Sequence, residues 1–164
     1  MGTFGGSPFN PVDNVSTILN SSNQIQTTSG TSSLKAGGSN TFSSGTATMG
    51  GFAATFTPNA GVVAGIFISG TATSSSTGGG NVTATLYYGT GTAPSAGASP
   101  SGTSVGTFVI PIPANATINF SAVLKTGTLT SGTKYWFDFA APYINSTNNL
   151  VLSNVSILIQ QFTS

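Results

Sequence analysis

Two positions, Trp136 and Asp138, have side chains that could bind a ligand together. They lie two residues apart in an alternating segment, so both side chains would lie on one face of a β-strand. There the indole could stack on a sugar ring beside the carboxylate, which makes a glycan-stacking site one interpretation. The alternatives are that Trp136 packs under a loop or into a subunit interface, and that Asp138 forms a surface ion pair with Lys134.

The residue types in the chain exclude most enzymatic mechanisms. The sequence contains no His, Cys, Glu or Arg, and its only carboxylate side chains are Asp13 and Asp138. Proton shuttles, activated nucleophiles and metal centres are built mainly from the missing types. Two Asp residues are also too few for a Ca²⁺ site made by one chain's side chains, although backbone carbonyls or a second subunit could complete a weak one. We therefore expect a non-enzymatic protein without a cofactor.

Charge is nearly absent from the chain. Charged residues make up 3% of it and the net charge is +1, compared with about 25% charged residues in an ordinary domain. Three scattered lysines cannot form a patch for phosphates, so nucleic acid is not an expected partner. The apolar run at 61–68 is too short to span a membrane. Little repulsion opposes self-association, which favours a closed homo-oligomer, for which we expect a trimer.

The lack of His, Glu and Cys also predicts how the protein responds to pH. Asp side chains ordinarily titrate below pH 5 and Lys side chains above pH 9. We therefore expect the stability of the fold to be nearly independent of pH between about 5 and 9.

The composition changes near residue 46. Residues 1–45 are rich in Ser, Thr, Asn and Gly, with widely spaced apolar residues that include Phe4, Phe9, Ile18 and Leu19. This pattern is compatible with a flexible tail. We favour an extended arm instead, in which these four side chains contact neighbouring subunits or the surface to which the protein attaches. Residues 46–164 would then form the folded domain.

The folded domain reads as a series of short strands. Apolar residues alternate with polar ones in segments around residues 52–56, 82–88, 105–110, 118–124 and 135–139. The segments 62–69 and 150–162 are apolar on both faces, and the second could be one long strand or two short ones broken near residues 153–154. Gly, Pro, Asn and Ser separate the segments. The pattern predicts an all-β antiparallel β-sandwich, specifically a jelly roll, with an extended N-terminal arm.

Three segments resemble a known class of protein. They read YYGTGTAP followed by a Gly/Pro/Ala loop at 87–106, LTSGTKYWFDFA at 129–140, and a closing segment at 150–157 that includes LSNVSI. Together they are similar to small β-sandwich structural proteins of tailed-phage virions, which serve as head decoration, head-fibre or tail-associated proteins. The resemblance implies an oligomeric virion protein and carries over no catalytic residues.

The leading expectation is therefore a decoration or cement protein on the outer capsid surface, with the major capsid protein or other virion proteins as partners. A head fibre or a tail-tip protein that contacts the host is the alternative within the same class. A carbohydrate-binding β-sandwich module that uses Trp136 and Asp138 is the alternative from a different class.

Overall fold

The computed structural model describes residues 17–19, 25–27, 32–43, 45–59, 62–74, 80–112, 114–142 and 150–162. All regular elements in these ranges are β-strands, as the alternating pattern predicts. They are β1 (Thr17–Leu19), β2 (Ile25–Thr27), β3 (Ser32–Phe42), β4 (Thr48–Met49), β5 (Ala54–Phe56), β6 (Val62–Ser74), β7 (Gly80–Thr90), β8 (Thr103–Ile112), β9 (Thr117–Leu129), β10 (Tyr135–Ala141) and β11 (Leu150–Phe162).

Strands β3 to β11 form two antiparallel sheets. The four-stranded sheet has the order β3-β11-β6-β9, and the five-stranded sheet has the order β4-β10-β7-β8, with β5 also paired to β10. Strands β1 and β2 form a separate antiparallel pair. Inward-facing residues of both sheets meet in one apolar core. The predicted fold class, an all-β antiparallel sandwich, is confirmed.

The core follows from the two-residue period of the strands. Ile66 and Ile68 of β6 and Ile157 of β11 are fully buried, because alternate residues of these central strands point at the other sheet. Phe137 and Phe139 of β10 face them from the five-stranded sheet. Burying side chains of this size contributes roughly 1.5–3 kcal/mol each. These strands are therefore the main source of stability.

Strand β11 is a single strand with an irregularity in its middle. The register of β11 against β6 shifts between Ser153 and Ser156. Asn154, inside this shift, has φ 52°, a left-handed conformation that Asn tolerates better than most residues. The bulge keeps apolar residues of both halves of β11 facing the core. The structure therefore shows one long strand rather than two short ones, with an irregularity near residues 153–154.

The sandwich begins earlier in the sequence than predicted. Strand β3 pairs with β11 along its length, and Phe42 at its end is 2% exposed within the core. The side-chain amide of Asn40 also donates a hydrogen bond to the carbonyl of Gly50, at 3.1 Å. The predicted boundary at residue 46 is therefore wrong for residues 32–42, which belong to the sandwich. Their polar composition fits an edge strand that pairs on one side only.

Candidate functional site

Strand β10 carries the two residues that the sequence singled out. It lies inside the five-stranded sheet, paired with β4 and β5 on one side and β7 on the other. Tyr135, Phe137 and Phe139 face the main core, as alternation predicts. Trp136 belongs to a second group on the opposite face, which we call the small outer core: Met49, Trp136 and Ala140, with Ala47, Tyr87, Ala93 and Ala98 packed against them.

The indole of Trp136 is covered rather than displayed. A Cβ atom added to Gly89 would lie 2.6 Å from Trp136 Cζ2, and one added to Gly102 would lie 2.7 Å from Cη2, so the ring lies against both glycine backbones. Its Nε1–H donates to the carbonyl of Thr90 at 3.3 Å. The residue is 4% exposed. The prediction of a glycan-stacking role for Trp136 is wrong in this structure, since neither ring face is open, and the alternative of packing under a loop is confirmed.

The covering loop, residues 91–102, is held to the sheet by backbone hydrogen bonds. The Met49 N–H donates to the carbonyl of Ala98 at 2.8 Å, and the Gly97 N–H donates to the carbonyl of Met49 at 2.9 Å. Gly97 has φ 81°, which an L-residue adopts only with strain. The long Gly/Pro/Ala segment of the sequence is therefore a fixed cover over the small outer core.

Asp138 is a structural residue of the interior. It is 0% exposed. Its Oδ1 accepts hydrogen bonds from the backbone N–H groups of Phe139 at 2.8 Å and Phe52 at 3.1 Å. Its Oδ2 accepts one from the N–H of Gly51 at 2.8 Å. The carboxylate thus fixes the chain between β4 and β5 to β10, and it is not available to a sugar hydroxyl.

The predicted surface ion pair between Lys134 and Asp138 is also wrong. Lys134 is exposed just before β10 begins, whereas the Asp138 carboxylate lies in the interior and is used by backbone amides. The error arose because alternation assigns a residue to a face of a sheet and does not indicate whether that face is covered.

Burial changes the acid–base behaviour of this carboxyl group. Desolvation raises the pKa of Asp138 to about 6, against the opposing effect of the N–H groups of Phe139, Phe52 and Gly51, which favour the charged form. A carboxyl group that titrates near pH 6 contradicts the expectation that stability is independent of pH from about 5 upward. The expectation rested on model-peptide values, which apply to solvated side chains.

The four predicted contact residues of the arm fall only partly within the described residues. Phe4 and Phe9 lie outside the described residues. Ile18 and Leu19 lie in β1, where they pair with Gln26 and Ile25 of β2. Their role in contacting the capsid or a neighbouring subunit stays a prediction.

The outer face of the four-stranded sheet carries a feature that the sequence reasoning missed. Leu34 of β3 is directly opposite Leu158 of β11, Leu158 is opposite Phe67 of β6, and Phe67 is opposite Val123 of β9. Directly opposed residues share a face of a sheet. The four side chains therefore form a row across all four strands, here called the apolar strip.

The apolar strip is open to solvent at both ends. Leu34 is 63% exposed and Val123 is 69% exposed, while Phe67 and Leu158 are half-buried. The ring of Phe162 lies over Gly65 on the same face and extends the apolar area. Lys125, opposite Gly65 in β9, places a positive charge next to it.

The part of this face around Thr71 and Thr73 is mainly polar, with Val151 opposite Thr73 as an apolar exception. The hydroxyls of Thr73 and Thr117 lie 2.9 Å apart, and the Thr71 hydroxyl donates to the side-chain oxygen of Asn119 at 3.1 Å. These cross-strand pairs satisfy one another. The face thus divides into a hydroxyl-rich half and the half that carries the apolar strip.

A metal site and a membrane-spanning helix are two other features to consider in the described residues. Within the described residues, no group of three or more His, Cys, Asp or Glu side chains could hold a metal ion. In the same part of the chain, no helix has the length and hydropathy that crossing a bilayer requires. No protein-family model matches the sequence, and no curated protein matches it.

Proposed function

We propose that this chain is a non-enzymatic structural protein of a virus particle, which decorates the outer surface of a tailed-phage head as an oligomer. The main support is the strand order of the sandwich, taken together with the burial of the two side chains that could otherwise have formed a ligand site. The resemblance of three segments to tailed-phage virion proteins gives the class of particle.

The strand order supports a jelly roll. In the four-stranded sheet the first strand of the sandwich, β3, lies beside its last strand, β11, followed by β6 and β9. The other sheet has β4 and β5 beside β10, followed by β7 and β8. This order is compatible with the double Greek-key pattern of jelly rolls, an architecture found in viral capsid and lectin domains, and a jelly roll is the topology we propose.

The interior position of Trp136 and Asp138 favours the virion interpretation over a carbohydrate-binding module. Sugar recognition of the predicted kind needs both side chains at the surface. Here the loop at 91–102 covers the indole, and backbone amides occupy the carboxylate. Their contribution is to hold a loop and a turn in place.

The surface supports assembly. A net charge of +1 gives little repulsion between copies. Among the described residues, three of the five exposed large apolar side chains, Leu34, Val123 and Phe162, lie on the outer face of the four-stranded sheet. Closed symmetry is the usual arrangement for homo-oligomers, and a homotrimer is the state we propose. Light scattering on the purified full-length protein tests this part, and a monomer of 16.3 kDa at micromolar concentration would count against it.

The copy number in the particle tests the function itself. Quantitative mass spectrometry of particles from the virus that encodes the chain should find it in numbers comparable to the major capsid protein. Only a few copies per particle would favour the head fibre or tail-tip alternative. Absence from purified particles would reject the virion proposal.

A further inference from the structure

The apolar strip runs from one edge of the four-stranded sheet to the other. Its two ends, Leu34 in β3 and Val123 in β9, lie in the edge strands and are 63% and 69% exposed. Phe67 and Leu158, in the central strands, are half-buried. An exposed apolar patch marks an interaction site or promotes aggregation. A partner that protects the strip must therefore cover both edges of the sheet as well as its middle.

We propose that the strip is the contact between the three copies of the homotrimer, with Leu34 of each copy against Val123 of the next. The outer faces of three four-stranded sheets would then surround a three-fold axis that runs along the strands. Unlike edges meet at each of the three corners, so the ring of contacts closes without a free end. This inference rests on the proposed function, which sets the number of copies at three, and it assigns the surface that joins them.

The width of the sheet suits this arrangement. Three interstrand spacings make the strip about 14 Å long. If the Cα atoms of Leu34 and Val123 in adjacent copies are about 6 Å apart at each corner, every sheet lies about 7–8 Å from the axis. Long side chains such as those of Phe67 and Leu158 span this distance, and both lie in the central strands, nearest the axis.

The area of the face is also sufficient. Four strands about 4.8 Å apart, with β6, β9 and β11 each 13 residues long at about 3.3 Å per residue, give an outer face of about 800 Å². Three faces together would bury about 2,400 Å², which is within the range of about 2,000–5,000 Å² that obligate assemblies bury.

Charge does not oppose the contact. Among the described residues of the sheet, Lys125 is the one charged side chain on the outer face, opposite Gly65. Lys35 of β3 is opposite the buried Ile157 and therefore lies on the other face. Since Lys125 is in the edge strand β9, three copies hold these lysines at three separate corners.

The polar groups of the face can be covered at little cost. The hydroxyls of Thr73 and Thr117 are 2.9 Å apart, and the Thr71 hydroxyl donates to the side-chain oxygen of Asn119 at 3.1 Å. These groups keep a hydrogen-bond partner when water is removed, so they avoid the penalty of a buried unsatisfied group.

Cysteine trapping in the full-length protein tests the contact, because the sequence contains no native Cys. The ends of the strip are about 14 Å apart within one copy, whereas the Cα atoms of a disulfide lie about 4.4–6.8 Å apart. In the variant with Leu34→Cys and Val123→Cys, oxidation should therefore link copies and end in a disulfide-linked trimer on a non-reducing gel. Each single variant should stay unlinked, because like residues lie at different corners.

The matched control combines Leu34→Cys with Val109→Cys, since Val109 is 51% exposed on the five-stranded sheet. The strip pair should react at least about tenfold faster than this control, as expected for groups held close together. A linked dimer as the end product would overturn the inference, because two faces would then pack against each other. Equal rates in a protein that light scattering shows to be a trimer would also overturn it, while leaving the proposed function intact. A monomer in light scattering would overturn both the inference and the proposed homotrimer.

A charge placed at each corner tests the contact without cysteines. Val123→Asp should raise the concentration at which half of the trimer dissociates at least about tenfold, because the carboxylate would lose water against Leu34 of the next copy. Val109→Asp, at an exposed valine of the other sheet, should leave this concentration unchanged. The emission of Trp136, which is buried in the five-stranded sheet, reports whether each variant is folded. Equal effects of the two substitutions would contradict the contact.

Discussion

The indole of Trp136 lies against the backbone of Gly102. A Cβ atom at Gly102 would lie 2.7 Å from Trp136 Cη2 and 2.5 Å from the carbonyl oxygen of Tyr88, and the residue has φ 88°. The position therefore excludes a side chain on two separate grounds, space and backbone conformation. This contact joins the end of the covering loop to the middle of the five-stranded sheet.

We expect Gly102→Ala to lower the free energy of unfolding by more than about 2 kcal/mol, because the strain of a positive φ adds to a clash with backbone. Gly91→Ala is the matched control. Gly91 has φ 79° but nothing within 4 Å of an added Cβ, so its substitution should cost only about 1 kcal/mol. Urea unfolding followed by Trp136 fluorescence measures both values. Equal losses would show that the Trp136 contact is loose.

Removing the indole should release the loop at 91–102. Trp136→Ala should lower stability by about 3–5 kcal/mol, and brief digestion with subtilisin should cut the variant within 91–102 while the strands resist. The reason is that Ala93 and Ala98 lose the surface on which they pack. Peptide mapping by mass spectrometry locates the cuts, under conditions where circular dichroism shows an intact fold. Cuts scattered through the strands would contradict a local release.

The Asp138 carboxyl group should make stability depend on pH. Its pKa of about 6 in the folded protein lies above the ordinary value of 3.8, so the folded state binds the proton more tightly than the unfolded state. The stabilisation is fully present below about pH 4 and is lost as the pH rises through 6. The free energy of unfolding should therefore fall by about 2–3 kcal/mol between pH 4 and pH 7, as measured by urea titrations.

The matched variant for this prediction is Asp138→Asn, which removes the titration but keeps one acceptor oxygen. Its stability should be lower at pH 4, and the fall between pH 4 and pH 7 should disappear. If the wild-type protein instead becomes more stable as the pH rises through this range, the hydrogen bonds from Gly51, Phe52 and Phe139 outweigh the desolvation of the carboxylate.

A buried hydroxyl completes the hydrogen bonding at the bulge between β6 and β9. Thr126 Oγ1 accepts from the N–H of Ala64 at 2.9 Å, where the register shifts between Val63 and Gly65. Thr126→Val keeps the volume and removes the acceptor, so it should cost about 1–3 kcal/mol.

Thr128→Val, at an exposed position of the same strand, should change stability by less than about 0.5 kcal/mol. Thermal unfolding of the two variants side by side provides the measurement. A similar effect of both substitutions would indicate that the Ala64 N–H finds another partner.

The long strands could be predicted because their signal is local. Apolar residues on the core face of β6 and β11, such as Ile66 and Ile157, recur at the period that a strand imposes. The face of each β10 residue was predicted correctly for the same reason. The burial of Trp136 and Asp138 was not, since it depends on a distant loop and on amides more than 80 residues earlier in the chain.

Two other features were missed for a related reason. Strand β3 is polar along most of its length, and only its pairing with β11 identifies it as part of the sandwich. The apolar strip takes one residue from each of four strands, so Leu34 and Val123 look like isolated apolar residues in the sequence. Both features depend on which residues of neighbouring strands are paired, and the alternation of apolar and polar residues does not determine that register.

The position of β11 has a consequence for how the protein is made. This strand is the last of the sandwich to be synthesised, yet it lies between β3 and β6, where Leu150 pairs with Phe42 on one side and Ser74 on the other. Until residues 150–162 leave the ribosome, β3 has no strand to pair with in its sheet, and the core lacks the buried side chains of β11. Pairings over such sequence separations are slow to form. The sandwich should therefore reach its folded state only after residue 162 has been synthesised. A chain truncated before residue 150 should remain unfolded.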